Sequence, residues 1–172
     1  MGLRLIIGGA RSGKSAHAQA LAETEARLRG GSPVMIATAQ ALDDEMGERI
    51  ARHRAERGPA WRTVETPLDP ASAIAALTPA DCAVVDCLTL WLSNLMFVER
   101  DIDAATEALL QAATDSRGEI VFVANEVGMS IVPENALARR FRDEAGRLNR
   151  RAAERCDQVT VMFAGIPLVL KG

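Results

Sequence analysis

The chain carries Gly8-Gly9-Ala10-Arg11-Ser12-Gly13-Lys14-Ser15 directly after a short apolar run, Leu3–Ile7, and before a segment with helical spacing. These eight residues match G-x-x-x-x-G-K-[S/T] at every fixed position, which is the pattern of a phosphate-binding P-loop. In such a loop, glycine N–H groups and the N-terminus of the following helix surround phosphate oxygens. The pattern therefore predicts a nucleotide site, with a chance glycine-rich turn as the alternative.

The rest of the chain alternates between apolar runs and segments with helical spacing. Apolar runs predict strands at Leu3–Ile7, Val34–Ala37, Trp61–Glu65, Cys82–Asp86, Glu119–Ala124, Val159–Ala164 and Leu168–Leu170. Helices are predicted at Lys14–Leu28, Asp43–Arg57, Pro70–Leu77, Leu88–Met96, Ala104–Thr114 and Pro133–Arg155. The expected buried stripe of the last helix is Leu137, Phe141, Ala145, Leu148 and Ala152. This alternation predicts an α/β protein whose mostly parallel sheet has helices on both faces.

Composition narrows the class of protein and its partners. Hydrophobic residues make up 48% and charged residues 25% of the 172 positions, which suits one globular domain and excludes a disordered chain. A net charge of −3, few aromatic residues and no tyrosine disfavour a nucleic-acid partner. We expect no membrane span, because no apolar run reaches ~18 residues. The three cysteines are expected to be reduced, buried thiols in a cytoplasm.

Polar residues at the ends of predicted strands are the candidates for metal and substrate binding. Lys14 is expected to reach the terminal phosphates, and Ser15 to hold Mg²⁺. Asp86, at the end of its strand, is the candidate carboxylate on the metal side, with a helix N-cap as the alternative. Asn125 and Glu126 follow another strand, and contact with substrate or metal is weighed equally with the completion of a turn.

His53 is the candidate nucleophile. It shares one face of the predicted helix 43–57 with Met46 and Ile50, at i, i+4 and i+7. The arginines around it disfavour the imidazolium form and can bind phosphate; they are Arg49, Arg52, Arg54 and Arg57. A neutral imidazole can attack phosphorus and form a covalent intermediate. A solvent-exposed surface histidine is the alternative, and spacing alone does not choose between the two.

Several motifs occur in order along nearly the whole chain and together resemble one family. They are the P-loop, Ala37-Thr38-Ala39-Gln40, Ile50-Ala51-Arg52-His53-Arg54, Trp61-Arg62-Thr63-Val64-Glu65, Asp86-Cys87-Leu88-Thr89-Leu90-Trp91-Leu92-Ser93-Asn94 and Asn125-Glu126-Val127-Gly128-Met129. This set resembles the bifunctional adenosylcobinamide kinases/adenosylcobinamide-phosphate guanylyltransferases of cobalamin biosynthesis. One departure is Ser130, where glycine is expected in the family's run after Met129.

The resemblance implies a single RecA-like P-loop domain over residues 1–172, commonly assembled as a homotrimer. It implies phosphorylation of adenosylcobinamide by ATP or GTP, then transfer of GMP from GTP to the new phosphate with release of pyrophosphate. The histidine that becomes guanylylated in the family matches His53. The family's nucleotide contacts match Gly8–Ser15, Ala37, Thr38, Ala39, Arg54, Ala55, Glu56, Arg57, Glu65 and Asp86.

Two other functions compete with this one. A small-molecule P-loop kinase would need no covalent histidine. A RecA-like motor or nucleotide-dependent switch would need a nucleic-acid or protein surface, for which the arginine-rich segment Arg139–Arg155 is the candidate. The acidic residues Asp143, Glu144 and Glu154 interrupt that segment and favour an ordinary solvated helix face.

Overall fold

Residues 2–41, 44–55 and 57–172 are described by the computed structural model, apart from the side chains of Glu45, Arg49, Arg52 and His53. Within these residues, seven strands and six helices alternate. The strands are β1 (Leu3–Gly8), β2 (Pro33–Ala37), β3 (Arg62–Glu65), β4 (Cys82–Asp86), β5 (Glu119–Asn125), β6 (Gln158–Phe163) and β7 (Ile166–Lys171). The helices are α1 (Lys14–Arg29), α2 (Asp44–Ala55), α3 (Pro70–Ala75), α4 (Leu88–Phe97), α5 (Ile102–Asp115) and α6 (Ala136–Arg155).

The seven strands form one sheet in the order β3-β2-β4-β5-β1-β6-β7. Strands β1 to β6 are parallel, and β7 pairs antiparallel with β6 at one edge. All the parallel strands therefore end at the same edge of the sheet, which is where α/β proteins bind ligands. The predicted mostly parallel sheet is confirmed.

Alternate residues of the strands face two separate cores. On one face, Ile6 of β1 and Val84 of β4 pack against a stripe of α1 formed by Ala18, Ala22 and Ala26, each of them fully buried. On the other face, β-strand residues such as Leu5 pack against α3, α4, α5 and α6. The predicted helices on both faces are thus confirmed, with one helix on the P-loop side and four on the other.

The start of α6 differs from the predicted start at Pro133. The helix begins at Ala136 because Asn135 caps it, with its Oδ1 accepting hydrogen bonds from the N–H groups of Leu137 and Ala138 at 2.8 and 3.1 Å. Leu137 lies in this first turn and is 64% exposed, so its predicted place in the buried stripe is wrong. Further along the helix, Ala145, Leu148 and Ala152 are buried as expected.

The end of α2 also differs from that of the predicted helix 43–57. Helix α2 covers 44–55, so Arg57 lies beyond it rather than within it, and Gly58-Pro59 follow. The helix begins at Asp44, while Asp43, the predicted first residue, lies outside the described residues. None of the helices that the structure describes is both long enough and apolar enough to cross a bilayer.

Candidate nucleotide site

The loop between β1 and α1 has the backbone that a P-loop requires. Gly13 caps α1 with a left-handed φ of 91°, which glycine adopts without steric cost. A Cβ on Gly8 would lie 2.4 Å from the carbonyl oxygen of Met162 in β6, so the end of β1 has room only for glycine. Arg11 also has a positive φ of 53°. The loop is therefore narrow at its base, while its middle residues face an open cavity.

Lys14 is held over this loop. Its side chain is buried, and its Nζ donates to the carbonyl oxygen of Gly9 at 2.5 Å and to Ser12 Oγ at 3.4 Å. An ammonium group in this position attracts a phosphate, because it is a compact positive charge. The predicted placement of Lys14 at the mouth of a phosphate-binding loop is consistent with these contacts.

A cavity of about 1190 Å³ opens above the carboxyl ends of the strands. Its volume is large enough for a nucleotide and part of a second substrate. The predicted site residues that line it are Ala10, Arg11, Ser12, Gly13, Lys14, Ser15, Ala37, Ala39, Arg54, Arg57, Glu65 and Asp86. The further lining residues include Gln19, Glu48 and Pro67, which sequence reasoning did not name.

Strand register brings two acidic residues to the same level of this edge. Ala37 of β2 pairs with Glu65 of β3 on one side and with Asp86 of β4 on the other. Both Glu65 and Asp86 line the cavity, and the strands that carry them lie on either side of the strand that carries Ala37. Residues separated by 21 positions in sequence therefore face one ligand, as expected where parallel strands end together.

Asp86 does not cap the helix that follows it. Cys87 is the N-cap of α4, and its Sγ accepts a hydrogen bond from the N–H of Leu90 at 3.5 Å. Burial and then the Asp86 charge raise the pKa of the Cys87 thiol to about 11, so the thiol stays neutral. The alternative assignment of Asp86 as a cap is therefore wrong, and its carboxylate lies in the cavity instead.

Ser15 and Asp86 form a chemically suitable pair for Mg²⁺. Both line the cavity that also contains the P-loop, and a hydroxyl with a carboxylate is an all-oxygen donor set. Mg²⁺ usually takes one or two protein oxygens and completes its shell with phosphates and water. Accordingly, no cluster of three acidic, cysteine or histidine residues is needed, and none occurs among the residues that the structure describes.

Two arginines follow the histidine position and border the cavity. Arg54 Nη2 donates to Glu65 Oε1 at 2.8 Å across two largely exposed side chains, which joins α2 to the end of β3. Burial and then the positive charge of Arg54 lower the pKa of Arg57, against the opposing charges of Asp86 and Glu65. The Nε of Arg57 is buried without a hydrogen-bond partner in the described structure. An unpaired buried donor beside a cavity is suited to binding an oxyanion.

Helix α2 extends along the cavity through Met46, Glu48 and Ile50. His53 belongs to this helix, but its side chain lies outside the described residues, as does all of Glu56. Ala55 and the base of the P-loop at Gly8 and Gly9 are not among the lining residues. The roles predicted for these positions remain predictions.

Thr38 lies behind the cavity rather than within its wall. Its side chain is fully buried, and Oγ1 donates to the carbonyl oxygen of Cys87 and accepts from the Cys87 N–H, both at 2.8 Å. The Nδ2 of Asn94 donates to the carbonyl oxygens of Thr38 and Pro67 at 2.8 and 3.0 Å. Asn94 thus connects the loops after β2 and β3, a role that sequence reasoning missed although Asn94 ends one of the quoted motifs.

Asn125 is held from both sides at the end of β5. Its N–H donates to Thr89 Oγ1 at 2.7 Å, and its carbonyl oxygen accepts from Asn149 Nδ2 at 3.2 Å. Asn125 also lines the cavity. Glu126 is different, because its N–H donates to the Gly8 carbonyl oxygen and its Oε1 accepts from the Gly128 N–H at 2.5 Å. Of the two candidates, Glu126 completes a turn and Asn125 faces the ligand space.

Comparison with known proteins gives consistent matches over nearly the whole chain. Residues 4–170 match the family model described as cobinamide kinase / cobinamide phosphate guanyltransferase. A Pseudomonas aeruginosa protein named bifunctional adenosylcobalamin biosynthesis protein CobP is 49% identical over 98% of this chain and 96% of its own length. A Salmonella typhimurium protein named bifunctional adenosylcobalamin biosynthesis protein CobU is 42% identical over 97% of this chain and 98% of its own length.

A solved structure resembles the fold. The flagellar accessory protein FlaH from Methanocaldococcus jannaschii superposes with a TM-score of 0.51, covering 99% of this chain and 78% of that protein. The two sequences are 14% identical, so this similarity concerns the fold alone. It agrees with the P-loop α/β arrangement predicted from the sequence.

Proposed function

Because this chain belongs to the cobinamide kinase / cobinamide phosphate guanyltransferase family, we propose that it carries out both reactions in one domain over residues 1–172. ATP or GTP phosphorylates the side-chain hydroxyl of adenosylcobinamide. GTP then donates GMP to that phosphate, which gives adenosylcobinamide-GDP and pyrophosphate. The observation that carries the proposal is one cavity lined by the P-loop, by Asp86 and Glu65, and by helix α2.

In the kinase step, the chain's task is to position the triphosphate. Lys14 and the N–H groups from Ala10 to Ser15 bind the terminal phosphates, because the loop and the N-terminus of α1 supply fixed positive charge there. Ser15 and Asp86 would hold Mg²⁺, which neutralises charge on the phosphates when it is bound. The hydroxyl of the corrinoid then attacks the terminal phosphorus and gives up its proton to water, and the bond to the leaving nucleoside diphosphate breaks.

In the guanylyl step, His53 is the proposed nucleophile. A nitrogen of its neutral imidazole attacks the α-phosphorus of GTP, a P–N bond forms, and the bond to pyrophosphate breaks. An oxygen of the corrinoid phosphate then attacks the same phosphorus and displaces the imidazole. Support comes from Met46 and Ile50, which line the cavity and share the i, i+4, i+7 series with position 53.

Arg57 and Arg54 would stabilise the charge that grows on the phosphate in this step. The buried, unpartnered Nε of Arg57 needs an acceptor, and a nucleotide phosphate supplies one. Burial and the charge of Arg54 lower the pKa of Arg57, but arginine is so strongly basic that its guanidinium stays charged near neutral pH. Glu65, which accepts a hydrogen bond from Arg54 and lines the cavity, is a further proposed contact of the nucleotide.

The assembly is proposed to be a homotrimer in the cytoplasm. The edge strand β7 and the end of β6 expose apolar side chains, namely Phe163, Ile166, Leu168, Val169 and Leu170. An exposed apolar edge strand of this length is a favourable surface for a second copy of a chain. Light scattering after size-exclusion chromatography measures the subunit number, and a monomer at micromolar concentration would contradict this part of the proposal.

The experiment that tests the function is incubation with GTP labelled on the α-phosphate, without corrinoid. We expect one acid-labile, alkali-stable GMP adduct, which peptide mass mapping places on His53. His53→Ala should lose the adduct and guanylyl transfer while keeping part of the kinase activity. His17→Ala, which changes the chain's other histidine, is the matched control and should keep the adduct. Phosphorylation without any adduct would instead support a kinase with no covalent histidine.

A further inference from the structure

We propose that the carboxamide of Asn125 binds the terminal phosphate of the nucleoside triphosphate and so distinguishes a triphosphate from a diphosphate. This inference rests on the proposed function only in that it needs a triphosphate in the P-loop. Asn125 is outside the set of nucleotide contacts that the family resemblance supplies. Its assignment comes from strand order, register and hydrogen bonds.

Strand order places Asn125 between the two parts of the site that act on the terminal phosphate. Strand β5 lies between β1, which leads into the P-loop, and β4, which ends at Asp86. Gly8 pairs with Asn125 in one direction, and Asp86 pairs with Val123 in the other. Asn125 therefore stands beside the first residue of the P-loop and two residues beyond the level of Asp86.

Side-chain alternation directs Asn125 towards the cavity. Val123 and Asn125 both line it, whereas Ala124 between them belongs to the core on the opposite face of the sheet. This is the period of two that a β-strand requires. The side chain at 125 therefore continues the wall that β5 presents to the ligand.

The backbone of Asn125 is fixed by two buried side chains from different helices. Thr89 of α4 accepts from its N–H, and Asn149 of α6 donates to its carbonyl oxygen. Both of these side chains are buried, so neither contact competes with bulk water. Locking a residue by such contacts from neighbouring helices is how a fold positions a group that contacts substrate.

The carboxamide itself is available for a ligand. The side-chain Oδ1 and Nδ2 of Asn125 make no hydrogen bond with any residue that the structure describes. Its backbone, in contrast, is bonded by the side chains of Thr89 and Asn149. Nδ2 is a neutral donor that can bond a phosphate oxygen without a proton transfer. Neither the hydroxyl of Ser15 nor the carboxylate of Asp86 offers an N–H donor from this side of the cavity.

The test compares GTP and GDP affinity and kinase turnover in Asn125→Ala and Asn125→Asp. Losing one donor to a charged oxygen should lower kcat about 10- to 100-fold. The preference for GTP over GDP should fall about as much, with GDP affinity and the thermal midpoint unchanged. Asn125→Asp keeps the shape of the side chain but adds repulsion, so it should lower GTP affinity below that of Asn125→Ala.

Thr89→Val supplies a second variant, because it keeps the carboxamide and removes only the acceptor of the Asn125 N–H. We expect a smaller change in the same GTP-to-GDP ratio. If folded Asn125→Ala and Asn125→Asp kept the wild-type kcat and GTP-to-GDP affinity ratio, the assignment of Asn125 would be overturned. The proposed function would still stand in that case, provided that the wild type showed both activities. Absence of both activities from the wild type would instead refute the proposed function.

Discussion

The Nδ2 of Asn94 donates hydrogen bonds to two carbonyl oxygens, that of Thr38 at 2.8 Å and that of Pro67 at 3.0 Å. One side chain on α4 thus joins the loops that follow β2 and β3. Ala37 and Ala39 line the cavity from the first loop, and Pro67 from the second. Asn94 therefore holds two loops of the cavity wall in place although it does not itself line the cavity.

Asn94→Leu should loosen these two loops. The change removes both hydrogen bonds and leaves two part-buried carbonyl oxygens without their donor, which costs about 1–3 kcal/mol of unfolding free energy. We expect KM for GTP to rise more than kcat falls, because the binding surface moves while the P-loop stays. Steady-state kinetics and denaturant unfolding measure both, and an unchanged KM would contradict the role.

Lys14→Ala should give a folded protein that is impaired in both reactions. In the proposed function both nucleotides present their triphosphate to one loop, where the Lys14 ammonium donates to the Gly9 carbonyl oxygen. Removing one such charge from a phosphoryl-transfer site typically costs ~10² or more in turnover. Kinase and guanylyl assays should fall together while circular dichroism stays unchanged. Wild-type rates for either reaction would rule out one shared site.

Asp86→Asn should slow turnover more than it weakens nucleotide binding. The amide keeps the shape of the side chain but loses the charge that would order Mg²⁺ or its water. Activity of the variant should need a higher Mg²⁺ concentration, as a titration at saturating GTP measures. Equal activity of the wild type in Mg²⁺ and in excess chelator would remove the metal from the reaction altogether.

Alkaline pH should destabilise the fold through its thiols. Burial raises the pKa of Cys82 to about 12 and likewise the pKa of Cys156 to about 12, from a starting value of 9.0. The folded state thus favours the protonated thiols. Their contribution to stability is fully present below pH 9.0 and is lost as pH rises from there towards about 12.

Unfolding free energy measured against pH should therefore fall through that range, and Cys156→Ala should show a shallower fall than the wild type. The native thiols should also be slow to react with a thiol reagent at pH 8, since all three cysteines are buried. Rapid labelling of folded protein at that pH would contradict their burial.

Local signals predicted the part of the site that is local in sequence. The run from β1 through the P-loop to α1 carries its own glycine, lysine and helix signals, and each proved to be in place. The pairing of Ala37 with both Glu65 and Asp86 depends on strand order, which alternation of elements does not determine. Asn94 was missed for the same reason, because its partners are 56 and 27 residues away in sequence.

Apolar periodicity also failed where an element meets solvent. Leu137 fits the stripe of α6 but stands in the first turn of the helix, beyond the edge of the core. Asp86 fits the pattern of a helix cap, yet Cys87 is one residue closer to the helix and takes that position. The wrong stripe position of Leu137 and the rejected alternative for Asp86 each concern a single residue at the end of an element, where packing rather than spacing decides.

The alanine stripe of α1 makes the P-loop sensitive to larger residues at positions 18, 22 and 26, although these lie outside the loop. Ala18, Ala22 and Ala26 have no exposed surface, and their small side chains pack directly against residues of the sheet. A single added methyl group at Ala22 would act as a wedge and tilt the helix away from β4 and β5. Lys14 is the first residue of this helix. The small size of the three alanine side chains therefore determines the position of Lys14 and of the phosphates that it would bind.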